Sequence, residues 1–187
     1  MEHHPPPGES LLVSGAIRIR RLQAIGEHEI QGLSDVLIDC VEGGASVSFM
    51  LPLPRAKAEE FWRAMSSSSA RGERVVLAAE EAGGAIVGTV QLIVAQPENQ
   101  PHRADVAKML VHRRARRRGV GAALLAAAEH TALELGKTLL VLDTASGDAE
   151  RLYARMGWQR CGVIPGFALL PRGGLCDTTI FYRTLQP

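Results

Sequence analysis

The stretch of residues 105–121 constrains the fold of this chain more than any other part of the sequence. Residues 105–112 can form a β-strand, an arginine-rich loop follows, and Gly119 and Gly121 open a long helical pattern. Glycine lets the backbone approach a ligand closely, and the free N–H groups and dipole of a helix N-terminus favour an anion. Arginines add charge-assisted bonds that suit phosphate. The stretch therefore predicts a phosphate cradle between a strand and a helix.

Apolar periodicity supports the helix that follows this loop. Small and apolar residues recur at steps of three and four, whereas Glu129, His130 and Glu134 fall on the opposite side. Gly136 supplies a C-terminal stop. The predicted buried face consists of Val120, Leu124, Ala127, Ala128, Thr131 and Leu135.

The remaining pattern predicts one domain with a mixed sheet, because 187 residues suit a single core. Strands that form an antiparallel meander precede the cradle, and the strand after the helix is expected to run parallel to the cradle strand, covered on both faces. We expect an α/β (α+β) domain over residues 15–187 after a flexible segment, 1–14, with Ser66–Ser69 as a polar linker. The predicted strands are 16–20, 74–79, 85–93, 105–112, 138–142, 158–163 and 178–184, and the other helices are 30–41, 55–65 and 148–156.

Composition excludes several classes of protein. The net charge of +1 gives no overall attraction to nucleic acid or membrane, so positive charge is local to residues 112–118. The three cysteines, Cys40, Cys161 and Cys176, are widely spaced, which argues against a disulfide framework and a zinc site. No secretory signal or long apolar run is present. These features predict a cytoplasmic protein without a metal.

Two other interpretations of the arginine-rich loop fit the sequence less well. A nucleic-acid patch usually spreads charge over a face and adds aromatic residues for stacking, whereas aromatic residues are only 4% of this chain. A dinucleotide site would place Gly or Ala at position 124, where this chain has Leu124. A solvated basic loop remains the alternative to an anion site.

Residues 116–121, Arg-Arg-Arg-Gly-Val-Gly, match the Arg/Gln-x-x-Gly-x-Gly/Ala signature of the GNAT acyltransferase superfamily, between a strand and a helix as in that family. Further segments, at 102–106, 142–144, 147–153 and 173–179, resemble the tabtoxin-resistance type of GNAT acetyltransferase. The resemblance covers residues 87–182. It implies a GNAT fold, in which a mostly antiparallel sheet contains a splayed parallel strand pair and is flanked by helices.

The resemblance implies acetyl-coenzyme A as the acyl donor. Backbone N–H groups of the cradle would hold its pyrophosphate, and the backbone of the preceding strand would pair with its pantetheine arm. The cofactor-binding residues that follow are Met109, Leu110, Val111, Arg116, Arg117, Arg118, Gly119, Val120, Gly121 and Ala122. An asparagine common in the family before the next helix is absent, so Ser146 or Asp148 would replace its contact.

The same resemblance implies three catalytic residues. Tyr153 matches the family tyrosine near the cofactor sulfur, which protonates or orients the leaving thiolate; on periodicity alone it would be a packing residue. Asp105 and Asp143 match acidic positions that bind or deprotonate the acceptor amine, although Asp143 also suits a turn or helix cap. In the GNAT layout Phe49 or Met50 could touch the acceptor, although packing under a loop is the commoner role for such residues.

We therefore expect an N-acetyltransferase that moves an acetyl group from acetyl-coenzyme A directly to a primary amine of a small amino-acid-like acceptor. The cysteines fit no nucleophile–base pattern, so no acyl-cysteine intermediate is expected. Two alternatives remain, a non-catalytic acyl-coenzyme A sensor and a protein or peptide N-acetyltransferase. No nucleic-acid or membrane partner is expected, and self-association into a homodimer is compatible with the resemblance.

Overall fold

The computed structural model describes residues 11–13 and 17–186. Of the segment 1–14 predicted to be flexible, Leu11–Val13 pairs with the next strand, and the remainder lies outside the described residues. The elements in chain order are β1 (Leu11–Val13), β2 (Ile17–Arg21), α1 (Glu27–Glu42), α2 (Arg55–Ala70), β3 (Arg74–Glu81), β4 (Ile86–Ile93), β5 (Arg103–Val111), α3 (Val120–Glu134), β6 (Leu139–Thr144), α4 (Gly147–Arg155), β7 (Gln159–Leu169) and β8 (Leu175–Thr184).

The strands form one sheet in the order β1-β2-β3-β4-β5-β6-β8-β7. Strands β3, β4 and β5 form the predicted antiparallel meander. The crossover through α3 makes β5 and β6 parallel neighbours, and every other pair is antiparallel. The expected mixed, mostly antiparallel sheet is thereby confirmed.

The parallel pair separates soon after it begins. Strand β5 pairs with β6 only through Arg103, Ala104 and Asp105, although β5 continues to Val111. The edge of β5 after Asp105 consequently has no strand partner on its β6 side among the described residues. This separation opens a cleft in the middle of the sheet.

Helices cover the sheet on both faces. On one face α3 packs on residues that include Val90, Leu92 and Leu140, and on the other face α1 and α2 pack around Trp62 and Val76. The buried face of α3 agrees with the predicted stripe, except that Leu135 at the helix end is 37% exposed. The prediction that β6 is covered on both faces is wrong: only Leu140 and Leu142, on the α3 face, are buried, because α1 and α2 pack mainly on β3, β4 and β5.

The predicted linker Ser66–Ser69 is wrong, because these serines are the last turn of α2. Serine favours loops when its hydroxyl competes for backbone groups. Here the hydroxyls are satisfied within the fold: Ser66 donates to the Ile25 carbonyl, Ser67 to the Arg63 carbonyl, and Ser68 to the Glu73 carboxylate. Tertiary contacts thus override a local sequence preference.

Gly88 on β4 determines how closely the first turn of α3 approaches the sheet. A Cβ atom there would lie 3.0 Å from Leu124 Cδ1, 3.1 Å from the Leu110 carbonyl oxygen and 3.2 Å from Val120 Cγ1. Because protein interiors are close-packed, these neighbours leave little room for an added methyl group. The first turn of α3 therefore packs directly on the backbone of β4 at Gly88, and this contact also positions the loop before the helix.

We expect Gly88→Ala to lower the free energy of unfolding by about 1–3 kcal/mol, the usual cost of overpacking. Urea denaturation of the variant measures this loss. Gly83→Ala is the matched control, because nothing lies within 4 Å of a Cβ atom at Gly83. A Gly88 variant as stable as the Gly83 variant would contradict the close packing of α3 on β4.

Among the described residues, no helix combines the length and apolar character needed to cross a bilayer. Within the same residues, no group of three or more His, Cys, Asp or Glu side chains is arranged to hold a metal ion.

Candidate active site

The loop between β5 and α3 directs a row of backbone N–H groups outward. After a 3-10 turn over Arg113–Ala115, Arg117 (φ 60°) and Gly119 (φ 79°) adopt left-handed conformations before α3 starts at Val120. The N–H groups of residues 117–122 donate to no acceptor among the described residues, and the first bond into the helix runs from Ala123 to the Gly119 carbonyl. Backbone of this kind forms a concave anion site.

The arginines around this loop differ in their partners. Glu81 accepts from both Arg118 (2.8 Å) and Arg114 (3.0 Å), and the Arg118 hydrogen bond is the main reason that the pKa of Glu81 is lowered. Arg116 donates to the Val111 carbonyl at 3.2 Å. Arg117 is exposed and forms no ion pair with another described residue. The loop is therefore strongly but not uniformly cationic.

The predicted pantetheine-binding residues lie on the unpaired edge of β5. The side chain of Leu110 is buried with α1 and α2, whereas Met109 and Val111 pack on the α3 side. Their backbone faces the cleft beside β6, which ends its pairing with β5 at Asp105. An extended chain could add to this edge as a strand does.

Backbone strain is concentrated around the cleft. Among the described residues, the only non-glycine positions with positive φ are Ser48 (78°), Lys108 (50°) and Arg117 (60°). Lys108 occupies a β-bulge. Thr89 pairs with Leu110 and Gln91 pairs with Ala107, so β5 has one residue more than β4 between these two pairs. Such strain costs free energy and often marks functional sites, where it turns a side chain to a required direction.

Tyr153 lies on α4 with its ring packed between Trp158 and Phe181, at centroid distances of 5.8 and 5.7 Å. The residue is only 3% exposed, and its hydroxyl bonds no other described residue. Burial, followed by the negative charge of Asp143, raises the pKa of Tyr153 above its ordinary value. The phenol therefore holds its proton at neutral pH and has a free donor.

Asp143 is exposed near the end of β6 and accepts a 2.9 Å hydrogen bond from the buried hydroxyl of Thr178 on β8. Strand β8 lies beside β6, with Asp143 opposite Ile180. One carboxylate oxygen remains without a partner among the described residues. Sequence reasoning did not identify Thr178, and only the β6–β8 register reveals it.

Asp105 lies on the same face of the sheet as Asp143, but both of its carboxylate oxygens already accept hydrogen bonds. Its two oxygens accept from the Arg103 guanidinium and from Gln96 Nε2, the latter at 3.2 Å. The Arg103–Asp105 pair is partly buried. Neither oxygen of Asp105 is as available to a ligand as the free oxygen of Asp143.

The two residues considered as substitutes for the missing asparagine serve the start of α4. The hydroxyl of Ser146 accepts from the Ala149 N–H at 3.5 Å, and Asp148 pairs with Arg151. Both are exposed.

An aromatic wall faces the cleft from α2 and the loop before it. Phe49 and Phe61 meet edge to face at 5.2 Å, and Met50 is 40% exposed. Lys108 Nζ lies 5.8 Å from the centre of the Phe61 ring and 3.2 Å from Ser48 Oγ. Sequence reasoning missed Lys108, although a lone lysine within the apolar run of β5 was a visible signal.

Two surface depressions lie beside this region. The larger, of about 570 Å³, is lined by α1 residues together with His112 and Arg114, and contains none of the predicted catalytic residues. The smaller, of about 450 Å³, is lined by Glu150, Arg160 and Thr179 among others, next to the Thr178–Asp143 contact. We place the candidate site at the cleft between β5 and β6 and not in the larger depression, because Asp143 and Lys108 border that cleft.

Comparison with solved structures finds the same fold. An N-acetyltransferase from Staphylococcus aureus Mu50 gives a TM-score of 0.74 at 16% identity, over 91% of this chain and 99% of that one. Ribosomal-protein-alanine N-acetyltransferase from Brucella melitensis gives 0.72 at 23%, over 89% and 99%. A GNAT superfamily phosphinothricin acetyltransferase from Sinorhizobium meliloti, solved with acetyl-coenzyme A, gives 0.71 at 18%, over 83% of each chain.

The sequence of this chain matches a family directly. The model of the Acetyltransferase (GNAT) family matches residues 45–158, a range that runs from the loop before α2 to the end of α4 and includes the cradle, Lys108, Asp143 and Tyr153. This range is more than half of the 187 residues. The chain belongs to the GNAT family of acetyltransferases.

Proposed function

We propose that this protein transfers the acetyl group of acetyl-coenzyme A to a primary amine of a small, amino-acid-like acceptor. The observation that carries the proposal is the row of N–H groups at residues 117–122 without acceptors, because it suits a diphosphate next to an unpaired strand edge. The Sinorhizobium meliloti relative, which was solved with acetyl-coenzyme A, supports the choice of donor.

In this proposal the chain holds the donor at two places. The amides of residues 117–122, with Arg116, Arg117 and Arg118 around them, bind the pyrophosphate. The backbone of residues 109–111 pairs with the pantetheine arm, as an added strand would. When bound, acetyl-coenzyme A supplies a thioester carbonyl that an amine can attack.

Two side chains then transfer protons, and a third contributes charge. Asp143, with its free oxygen, binds the acceptor ammonium and takes one proton through water, and Asp105 contributes negative charge to the same face. Tyr153 donates its proton to the departing sulfur as the nitrogen–carbon bond forms and the carbon–sulfur bond breaks. The second proton that leaves the nitrogen replaces the one that Tyr153 gave. No residue forms a covalent intermediate.

The test is acetyl transfer itself. Purified protein is incubated with acetyl-coenzyme A and a panel of amino acids, simple amines and a short peptide, and free thiol and acetylated product are measured together. We expect one equivalent of acetylated amine for each thiol released. Tight binding of acetyl-coenzyme A without transfer to any of these amines would instead favour an acyl-coenzyme A sensor.

We expect Asp143→Asn to lower kcat/KM for the acceptor about 10-fold, the low end of the value for a hydrogen bond to a charged group. The KM for acetyl-coenzyme A should stay within about threefold of the wild-type value, because Asp143 lies outside the cradle. Steady-state kinetics with one substrate varied at a time measure both quantities. A change confined to the donor KM would remove Asp143 from the acceptor side.

The exposed apolar side chains of the β7–β8 hairpin, among them Phe167 (54%) and Leu175 (72%), support a homodimer as the working form. Light scattering coupled to gel filtration measures the mass of the protein in solution and thereby tests for the homodimer.

A further inference from the structure

Lys108 carries a positive charge that the protein itself does not neutralise. Its ammonium donates to Ser48 Oγ at 3.2 Å and lies 5.8 Å from the Phe61 ring centre. No carboxylate of the described residues lies within 4.0 Å of it. The side chain is half-buried. A partly desolvated cation without an anionic partner is costly, and a bound anion would offset that cost.

A second cation reinforces the positive charge on this side of the cleft. The guanidinium of Arg74 donates to Gln91 Oε1 at 2.6 Å and to Ser68 Oγ at 2.8 Å, and it pairs with no carboxylate among the described residues. Gln91 is fully buried, and its Nε2 has no acceptor among the residues that the structure describes. Gln91 pairs with Ala107, directly before the bulge at Lys108. This side of the cleft therefore carries two cations and an unpaired amide donor, and Glu73 offsets only part of the charge of Arg74.

The pKa of Lys108 reflects this arrangement. Burial lowers the pKa, Asp143 counteracts the shift, and Arg74 adds to it. The charged form of Lys108 is thus less favourable than in water, although Asp143 is close enough to influence it. The cleft contains a carboxylate on the β6 side and cations on the β4–β5 side, which matches a ligand with the opposite arrangement of charges.

We propose that Lys108 binds the carboxylate of the acceptor while Asp143 binds its amine, so that the acceptor is a free amino acid or another small zwitterion of that size. This inference rests on the proposed function. The strained φ values at Lys108 and Ser48 fit it, because both residues turn away from regular backbone in order to meet each other at the cleft.

Two other acceptor classes fit the charges less well. A polyamine would bring further positive charge against Lys108 and Arg74. The N-terminal residue of a peptide would present a neutral amide where the carboxylate of a free amino acid stands. An uncharged group at that position would leave the ammonium of Lys108 without an anion. Specific sites reject ligands that leave a buried polar group unpaired.

The experiment compares matched acceptors. Each L-amino acid in a panel is assayed beside its own carboxamide, which keeps the amine and side chain but lacks the negative charge. For the best amino acid, we expect the wild-type kcat/KM to exceed that of its carboxamide roughly 10- to 100-fold, the size of one charge-assisted hydrogen bond.

Variants then connect this preference to Lys108. Lys108→Met keeps the length of the side chain and should remove the preference by lowering kcat/KM for the amino acid alone, while Lys108→Arg should retain most of it. Lys57→Met is the matched control, since Lys57 is an exposed lysine on α2 that forms no ion pair with another described residue. Thermal unfolding and acetyl-coenzyme A binding of each variant verify that the fold and the donor site are intact.

The outcomes separate the inference from the function on which it rests. If Lys108→Met lowers kcat/KM for both acceptors equally, or if only amines without a carboxylate are acetylated, the inference is overturned while acetyl transfer stands. If the wild-type protein binds acetyl-coenzyme A but acetylates no acceptor, the proposed function fails and the inference fails with it. Loss of the carboxylate preference in Lys108→Met alone supports both.

Discussion

Replacing Tyr153 by phenylalanine should lower kcat by roughly 100-fold or more, within the usual range for a lost general acid. The hydroxyl bonds no described residue, and the ring packs between Trp158 and Phe181. Its removal therefore takes away a proton donor without disturbing the core. The raised pKa of Tyr153, caused first by burial, keeps the phenol protonated at neutral pH, so that it has a proton to donate.

The measurement is the single-turnover rate at saturating acetyl-coenzyme A, together with the Kd for that donor. We expect the Kd to change less than about threefold. Tyr182→Phe is the control, because it removes a tyrosine hydroxyl that bonds Gln159 on the surface. An unchanged single-turnover rate in Tyr153→Phe would exclude an acid role and leave packing as the function of this residue.

Replacing Gly119 by valine should weaken acetyl-coenzyme A binding about 100-fold or more. Gly119 has φ 79°, a conformation that β-branched residues rarely adopt, so the backbone of the cradle must change. Two charge-assisted hydrogen bonds lost from the row at residues 117–122 would account for an effect of this size. Isothermal titration with acetyl-coenzyme A measures it.

Gly72→Val is the matched control. Gly72 has φ 73° at the end of α2, and both glycines have open space where a Cβ atom would lie. Both variants should lose about 1–2 kcal/mol of stability through the same backbone strain, but only the Gly119 variant should lose affinity for the donor. Equal affinity in the two variants would remove the cradle from the donor site.

The sequence predicted most of the elements, because their periodicities and glycine stops are local. The meander, the crossover through α3 and the four helices follow from such patterns. Residues Ser66–Ser69 were predicted wrongly, since their hydroxyls find partners such as Glu73 and the Ile25 carbonyl only in the folded chain.

The candidate site was less predictable than the fold. The contact between Thr178 and Asp143 depends on the register of β6 and β8, and the bulge at Lys108 depends on a register shift against β4. Neither the Thr178–Asp143 contact nor the bulge is indicated by a pattern in the local sequence. The pairing of Asp105 with Arg103 does have a local sequence pattern, because residues two apart in a strand lie on the same face of the sheet. That neighbour indicates why Asp105 is the less available of the two carboxylates.

The bulge at Lys108 also divides β5 into two segments whose side chains alternate in opposite phase. Before it, Ala104 and Val106 face the α3 side; after it, the parity is reversed, so that Leu110 faces α1 and α2 while Met109 and Val111 face α3. One extra residue thus places the proposed acceptor-binding side chain and the proposed donor-binding backbone edge in separate registers of a single strand. If both proposals hold, substitutions at Lys108 can change which acceptor is acetylated without altering the backbone that holds the coenzyme.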